Sequence, residues 1–266
     1  MRRTASALRV VTFGPDDRAP FAEGIAALEE GATYPLGDDR FRIDHGADYF
    51  AFFDRLGETT FEVALDGDRV VAVVARVLRE RPTRCWYLCD LKVHPEYRGQ
   101  RIAARFARHA FARAYVRCRR GYAISMNDPN QSENRVARLV RRLPIVPFRT
   151  GELVLFSLDQ REMTEARPIV ERHRGPLSFL SLQDCKDIRM ESDGRSLPLL
   201  HAQFGPCAGG GLEAPLSDHV HMLAAPRSDA LAADLVTAGF GPSANATVLH
   251  HGMGGTPFDF VLTSDI

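Results

Sequence analysis

The stretch Leu91-Lys92-Val93-His94-Pro95-Glu96-Tyr97-Arg98-Gly99-Gln100-Arg101-Ile102-Ala103 joins three kinds of local signal. The β-rich run Cys85 to Val93 reads as a strand, His94-Pro95-Glu96-Tyr97 breaks it, and from Gly99 an amphipathic helical pattern extends to about Arg119. A helix that opens directly from a tight turn leaves its first backbone N–H groups without intrahelical partners. Its dipole adds partial positive charge at the same end. Strand, basic glycine turn and helix in direct succession therefore predict a site for an anion in which the backbone is the principal donor.

Working outward toward the N-terminus, Thr60 to Leu65 and Arg69 to Val77 flank Asp66-Gly67-Asp68, a strong hairpin signal that gives the strand at Cys85 two neighbours. Ala7 to Phe13 reads as a further strand closed by Gly14-Pro15, with Asp16 or Asp17 capping a helix from Arg18 to Glu30. Tyr34-Pro35-Leu36-Gly37 reads as a turn, and Ala47 to Leu56 as a helix whose Tyr49, Phe50, Phe52 and Phe53 belong to the core. On the other side, Tyr122 to Met126 is a short strand, Asn127 to Gln131 a polar loop, and Ser132 the cap of a helix that Pro144 stops beyond Arg142. Val146 to Thr150 and Leu153 to Leu158 then read as a closing pair of strands around Gly151.

The charged stretch from Asp159 to Arg174, closed by Gly175-Pro176, reads as a helix-containing linker. The expected division is thus a first domain over 1–160, a linker over 161–175 and a smaller domain over 176–266. In the latter, Leu177 to Leu182 and Leu197 to Gln203 read as strands and Gly209-Gly210-Gly211 as a flexible surface loop. His219 to Ala224, Ser228 to Ala238 and Ala246 to His251 then read as strand, helix, strand, an echo of Tyr122 to Leu158 that suggests a truncated, degenerate copy. The fold class expected is α/β with a mixed sheet, followed by a second, smaller α/β half.

At 266 residues, 45% hydrophobic and 26% charged, the chain has the composition of a folded water-soluble protein. Thirty-four basic and thirty-four acidic side chains cancel, so nothing global favours nucleic acid or an acidic membrane. The arginine-rich run Arg105 to Arg120 has the spacing of a solvated helix face. Five cysteines, an odd number, suit reduced thiols and a cytoplasmic location. Cys85 and Cys89 share a strand face, yet nothing nearby completes a metal-ligand set, so no metal is expected. No apolar run approaches the roughly 18 residues of a membrane span.

The turn resembles the acetyl-CoA motif of the GNAT N-acetyltransferase family, commonly Gln/Arg-x-x-Gly-x-Gly/Ala. Arg98 and Ala103 match that pattern, whereas Arg101 stands where the central glycine normally lies. The resemblance implies a GNAT fold in which Arg98, Gly99, Gln100, Arg101, Ile102 and Ala103 cradle the coenzyme's pyrophosphate. It also implies that the strand before the turn splays from its neighbour, and that backbone groups at Leu91 and Val93 hydrogen-bond the pantetheine arm. Asn134-Arg135-Val136-Ala137-Arg138-Leu139 resembles the family's later helix, which implies that Asn134 lies near the coenzyme.

The reaction implied is direct attack of a neutral amine on the thioester of acetyl-CoA. It needs a base, a donor for the oxyanion and an acid for the leaving thiolate. Asp90 matches an acidic position of some relatives and is the candidate base; the family's thiolate-protonating tyrosine position holds Val140, leaving the acid unassigned. The expected acceptor is the primary amine of a small molecule or an amino terminus, with Tyr34 to Phe53 supplying its wall. Transfer of a longer acyl chain and non-catalytic acyl-CoA sensing are the alternatives, and the sequence leaves monomer and homodimer both open.

Overall fold

The computed structural model describes residues 8–36, 39–127, 135–141 and 147–266. The first half runs β1 (Arg9–Phe13), α1 (Ala19–Glu30), β2 (Tyr34–Leu36), β3 (Asp39–Asp44), α2 (Ala51–Asp54), β4 (Glu58–Asp66), β5 (Arg69–Arg79), β6 (Cys85–Val93), α3 (Ile102–Arg117), β7 (Gly121–Met126), α4 (Arg135–Arg141) and β8 (Arg149–Leu158). The second runs α5 (Gln160–Arg174), β9 (Leu177–Leu180), β10 (Asp187–Met190), β11 (Ser196–Leu197), β12 (Leu199–Phe204), β13 (Val220–Pro226), α6 (Ala230–Thr237) and β14 (Ala244–His251).

Ten strands form one mixed sheet in the order β1-β4-β5-β6-β7-β14-β8-β13-β12-β9. Counted outward from the central β14–β8 pair, both sides repeat one pattern: an antiparallel neighbour, then a parallel one, then an antiparallel one. β7-α4-β8 and β13-α6-β14 are equivalent units, so the echo read in the sequence is a structural repeat. Each unit sends its last strand across the divide: β14 pairs with β7 through Ala246↔Met126 to His251↔Gly121, and β8 pairs with β13 through His221↔Leu158 to Pro226↔Leu153. The repeat has one large asymmetry. β6 and β7 are bridged by the sixteen-residue α3, whereas β12 and β13 are joined only by a short 3-10 turn, Gly205–Cys207, and loop.

A second sheet, β11-β10-β3-β2, stitches the halves together by antiparallel pairing of β3 with β10, from Asp187↔Asp44 to Met190↔Phe41. One face of the large sheet buries an aromatic core including Phe13, Tyr49, Phe50, Phe52, Phe53 and Phe61 beneath α1 and α2. The opposite face buries Tyr97, Ile102 and Phe106 of the turn and α3 against Ala64, Ala72 and Val74. A third cluster, in the second half, sets Met163, Ala166 and Val170 of α5 beside Leu231 and Leu235 of α6. The Asp159 capping box with Glu162 starts α5, which is helical through Pro168 to Arg174.

Several local expectations need correction. Gly151 does not divide two strands: it lies within the single strand β8, paired with Val248, so the glycine is a sheet residue and not a break. Tyr34 to Leu36 is a strand hairpinned to β3, and the α-helical part of Ala47 to Leu56 is only Ala51–Asp54, although Tyr49, Phe50, Phe52 and Phe53 are buried as expected. Asp16 and Asp17 belong to a 3-10 turn, so α1 starts behind Arg18 without a side-chain cap. The triple glycine is tied down: Phe179 and Leu212 exchange backbone hydrogen bonds of 2.8 Å, and a β-carbon on Gly211 would stand 2.6 Å from the Phe179 carbonyl oxygen. Ser132, Pro144 and Asn134 lie outside the described residues.

Candidate active site

The turn after β6 is built to leave a helix end open. Pro95–Tyr97 forms one 3-10 turn, capped by His94, whose Nδ1 accepts from the Glu96 N–H at 3.3 Å. Tyr97 anchors it from below, its hydroxyl donating to Asp66 Oδ2 at 2.6 Å. Gly99 then takes φ +85°, and Arg101 takes φ +58°, ψ +33°, the left-handed conformation that glycine adopts without cost. The arginine at the usual glycine position therefore keeps the glycine backbone, at about 1–2 kcal/mol of strain. No side chain caps α3, so its first N–H groups face outward from the turn. Arg98 is exposed, with Nε 3.4 Å from the Val93 carbonyl. Gln100 and Arg101 also line a shallow concavity with Val10, Arg105, Arg108 and His109.

Beside the turn the sheet opens. β6 and β7 pair only through Trp86↔Gly121, Tyr87↔Tyr122 and Leu88↔Ala123, although β6 runs on to Val93 and β7 to Met126. This is the splay that the resemblance implied, and it frees the edge of β6 from Cys89 onward. Leu88 and Met126 stand on its two sides with 38% and 39% of their surfaces exposed.

The same stretch of β6 carries a bulge. Ala75 pairs with Cys89 and Val73 with Lys92, so three steps along β6 match two along β5, and Asp90 adopts φ +53°. An extra residue reverses side-chain parity. Before it, Cys85, Tyr87 and Cys89 face the aromatic core; after it, Leu91 and Val93 pack toward α3. Asp90 and Lys92 consequently share the face toward α1 and α2, where Lys92 Nζ lies 2.6 Å from Asp90 Oδ1 and 3.1 Å from Glu29 Oε1. Tyr49 donates its hydroxyl to Asp90, and His45 meets the same Glu29 carboxylate.

Burial alone would raise the Asp90 pKa, but Lys92 and His45, with hydrogen bonds from Lys92 and Tyr49, hold it below the usual carboxylate range. Burial likewise opposes the Lys92 charge, and Asp90 and Glu29 outweigh it, so its pKa is raised. The site thus holds an ionised carboxylate that is itself held in place. Tyr87 and Tyr122 stack at 4.8 Å, and burial raises the pKa of both hydroxyls; Tyr122 accepts from Arg79 at 3.0 Å.

Asp90, Leu91 and Val93 lie on β6 directly before the turn from Arg98 to Ala103, Asp90 on the face toward α1 and α2 and Leu91 and Val93 on the face toward α3. Glu29, His45, Lys92 and Tyr49 join Asp90 without having been singled out for chemistry. His45 and Tyr49 fall within the Tyr34 to Phe53 stretch expected to wall the acceptor, and Asp90 and Lys92 stand two apart on one strand, whereas nothing local marked Glu29. Among the described residues no group of three or more histidine, cysteine, aspartate or glutamate side chains is placed to hold a metal ion.

Residues 26–139 match the acetyltransferase (GNAT) family. No curated protein matches the sequence. Among solved structures, a tandem GNAT protein from the clavulanic acid biosynthesis pathway superposes over 94% of this chain and 100% of its own, with a TM-score of 0.51 at 11% identity. An IAA acetyltransferase from Bacillus cereus covers 56% of this chain and 81% of its own at 17% identity, with a TM-score of 0.37. N-acetylglutamate synthase from Neisseria gonorrhoeae, complexed with coenzyme A and N-acetyl-glutamate, covers 64% and 33% at 15% identity, with a TM-score of 0.33. The tandem match speaks to fold alone and agrees with the internal repeat.

Proposed function

We propose that this chain, whose residues 26–139 belong to the acetyltransferase (GNAT) family, moves an acetyl group from acetyl-CoA directly to a primary amine of a small molecule or an amino terminus. The observation that carries the reading is the juxtaposition of an uncapped helix N-terminus behind Arg101 with the opened, bulged edge of β6. Arg98, Gly99, Gln100, Arg101, Ile102 and Ala103 would hold the pyrophosphate, and a β-carbon at Gly99 would meet nothing within 4 Å, so there is room for a ligand at the turn. Backbone groups at Leu91 and Val93 would hold the pantetheine arm, and an N–H of that segment would serve the oxyanion. Acetyl-CoA supplies the activated thioester.

Asp90 is the proposed base. Its low pKa keeps it ready to accept a proton throughout the neutral range but makes it weak, so it takes the proton as N–C bond formation acidifies the nitrogen. Lys92 and Tyr49 steady the carboxylate, and Glu29 adds a second negative charge that favours an incoming ammonium. In the same reading residues 1–160 are the acyltransferase unit, 161–175 the connection and 176–266 a degenerate relative. Transfer of a longer acyl chain is the second reading, favoured by the half-exposed Leu88 and Met126 at the splay. A thiol-release screen over amines, amino acids, polyamines and aminoglycosides, with acetyl-CoA and long-chain acyl-CoA donors, tests both. Coenzyme binding without thiol release from any pair would refute transfer.

A further inference from the structure

The second half sends one cation to the Asp90 site. Lys186 ends the turn after β9, its backbone N–H donating to the Leu182 carbonyl at 2.8 Å. That turn is clamped to the first half in three ways. Leu182 is buried in the aromatic core, β10 begins at the next residue and pairs with β3, and Gly46 fits so tightly under the turn that a β-carbon there would stand 2.1 Å from the Asp184 carbonyl oxygen. Lys186 Nζ lies 4.4 Å from the centre of the Phe52 ring, within the electrostatic reach of Asp90, Cys89, Arg55 and Lys92.

Unlike its neighbours, this ammonium makes no ion pair among the described residues. Lys92 has Asp90 and Glu29; Arg79 has Asp265; Arg55 has the Ser264 carbonyl and Asp265. Burial pulls the Lys186 pKa down to about 8 even with Asp90 near, so the charge is held at a cost that a nearby anion would relieve. The seam around it is cationic: burial, then Lys186 and Arg55, press the buried His201 down to about 3. His201 is therefore neutral and adds no anion. Because Thr263 donates its hydroxyl to the Met222 carbonyl at 3.1 Å, its oxygen accepts from His201 Nδ1 at 3.0 Å.

On the footing of the acyltransferase reading, we propose that Lys186 is a specificity-determining residue whose ammonium receives a carboxylate of the acceptor. The acceptor class is then an amine that also carries an acidic group, as a free amino acid does: its ammonium is drawn to Asp90 and Glu29, its carboxylate to Lys186. The degenerate half thereby contributes substrate selection while the first half holds donor and base.

Calorimetric titration of the full chain, loaded with coenzyme A, with the proteinogenic amino acids and their carboxamides tests this without requiring turnover. At least one acid should bind about ten-fold or more tighter than its amide, the usual order for a charge-assisted contact. Lys186→Gln should erase that preference and Lys186→Arg retain it, with coenzyme A affinity serving as the control for folding. Equal binding of acids and amides, no binding of any acid, or a preference that survives in Lys186→Gln would overturn the proposal. Thiol release from acetyl-CoA separates the two readings: an acid that binds with the Lys186-dependent preference yet is never acetylated would sink the acyltransferase reading and leave the carboxylate site standing.

Discussion

Asp90 Oδ1 lies 2.6 Å from Lys92 Nζ on the same face of β6, and the pair is aimed toward α1 and α2 by the bulge between Cys89 and Lys92. Without the extra residue, Asp90 and Lys92, two apart on the strand, would both fall on the α3 face, away from Tyr49 and Glu29. The bulge therefore does two tasks at once: it turns a charged pair into the acceptor side, and it detaches Leu91 from regular pairing with β5 beside the opened cleft.

Asp90→Asn is expected to lower turnover by roughly 10²-fold or more, within the usual worth of a positioned base, while coenzyme affinity changes little. Steady-state rates and coenzyme titration on the same folded preparation check it. Unchanged turnover would remove Asp90 from the chemistry.

At the turn, two substitutions should act in opposite senses. Arg98→Glu places a carboxylate among the N–H groups that open α3 and should weaken coenzyme binding severely. Arg101→Gly relieves the left-handed strain at φ +58°, so it should leave the turn intact and stabilise the protein by up to about 1 kcal/mol after glycine's own entropy cost. Calorimetry of coenzyme binding and thermal melts read the two effects; equal coenzyme affinity for Arg98→Glu and the unaltered chain would move the anion site elsewhere.

Beneath α3, Glu62 pairs with Arg76, and both are nearly inaccessible. Burial dominates and raises the Glu62 pKa to about 7, against the opposing pull of Arg76 and the hydrogen bond from Thr12. A carboxyl with a raised folded pKa binds more protons folded than unfolded between about pH 4.5 and 7, so its contribution to stability falls as pH rises through that window. Denaturant titrations from pH 4.5 to 7.5 should show that slope reduced in Glu62→Gln. An identical pH profile would mean that Arg76 keeps Glu62 ionised at its ordinary value.

The coenzyme turn was legible because each step is local: a strand, a proline-initiated turn and a helical pattern lie within thirteen residues. The repeat was legible for the same reason, since β13-α6-β14 carries its own periodicity. What the residues could not disclose is partnership at a distance. Asp39 to Asp44 alternates in exposure, but nothing in it names β10, about 145 residues away, as its neighbour. Gly151 reads as a break because a glycine weakens a strand locally, whereas the flanking β14 holds β8 together through it. Lys186 was overlooked because only that long-range pairing carries it to Asp90.

Gly46→Ala tests how firmly the second half is seated. The glycine takes φ +66°, and a β-carbon there would meet the Asp184 carbonyl oxygen at 2.1 Å, a backbone atom that cannot rotate away. Strain and clash together should cost about 2 kcal/mol or more. A lowered melting temperature, with selectivity between amino acids and their amides weakened before coenzyme affinity, is the expected pattern; an unaltered melt would show that the contact is loose.

Removal of the second half is the strongest test of the architecture. A chain ending at Leu158 keeps the coenzyme turn but loses β14, which lies between β7 and β8 and contributes Ala246 and Val248 to the aromatic core at no more than 1% exposure. β8 would have no partner on either side, and β7 would expose an edge over the length that pairs with His251 to Ala246. The fragment is expected to aggregate, and co-expression with residues 159–266 to restore solubility by returning the exchanged strand. The intact chain should nevertheless bind one coenzyme, because the connection from β12 to β13 contains no helix long enough to offer the N–H cluster that α3 provides. Titration at saturating acetyl-CoA reads the second point and analytical ultracentrifugation the first. A soluble, active fragment ending at Leu158 would mean that β8 folds back to pair with β7 directly, and that the strand exchange is a property of the joined halves, dispensable for catalysis.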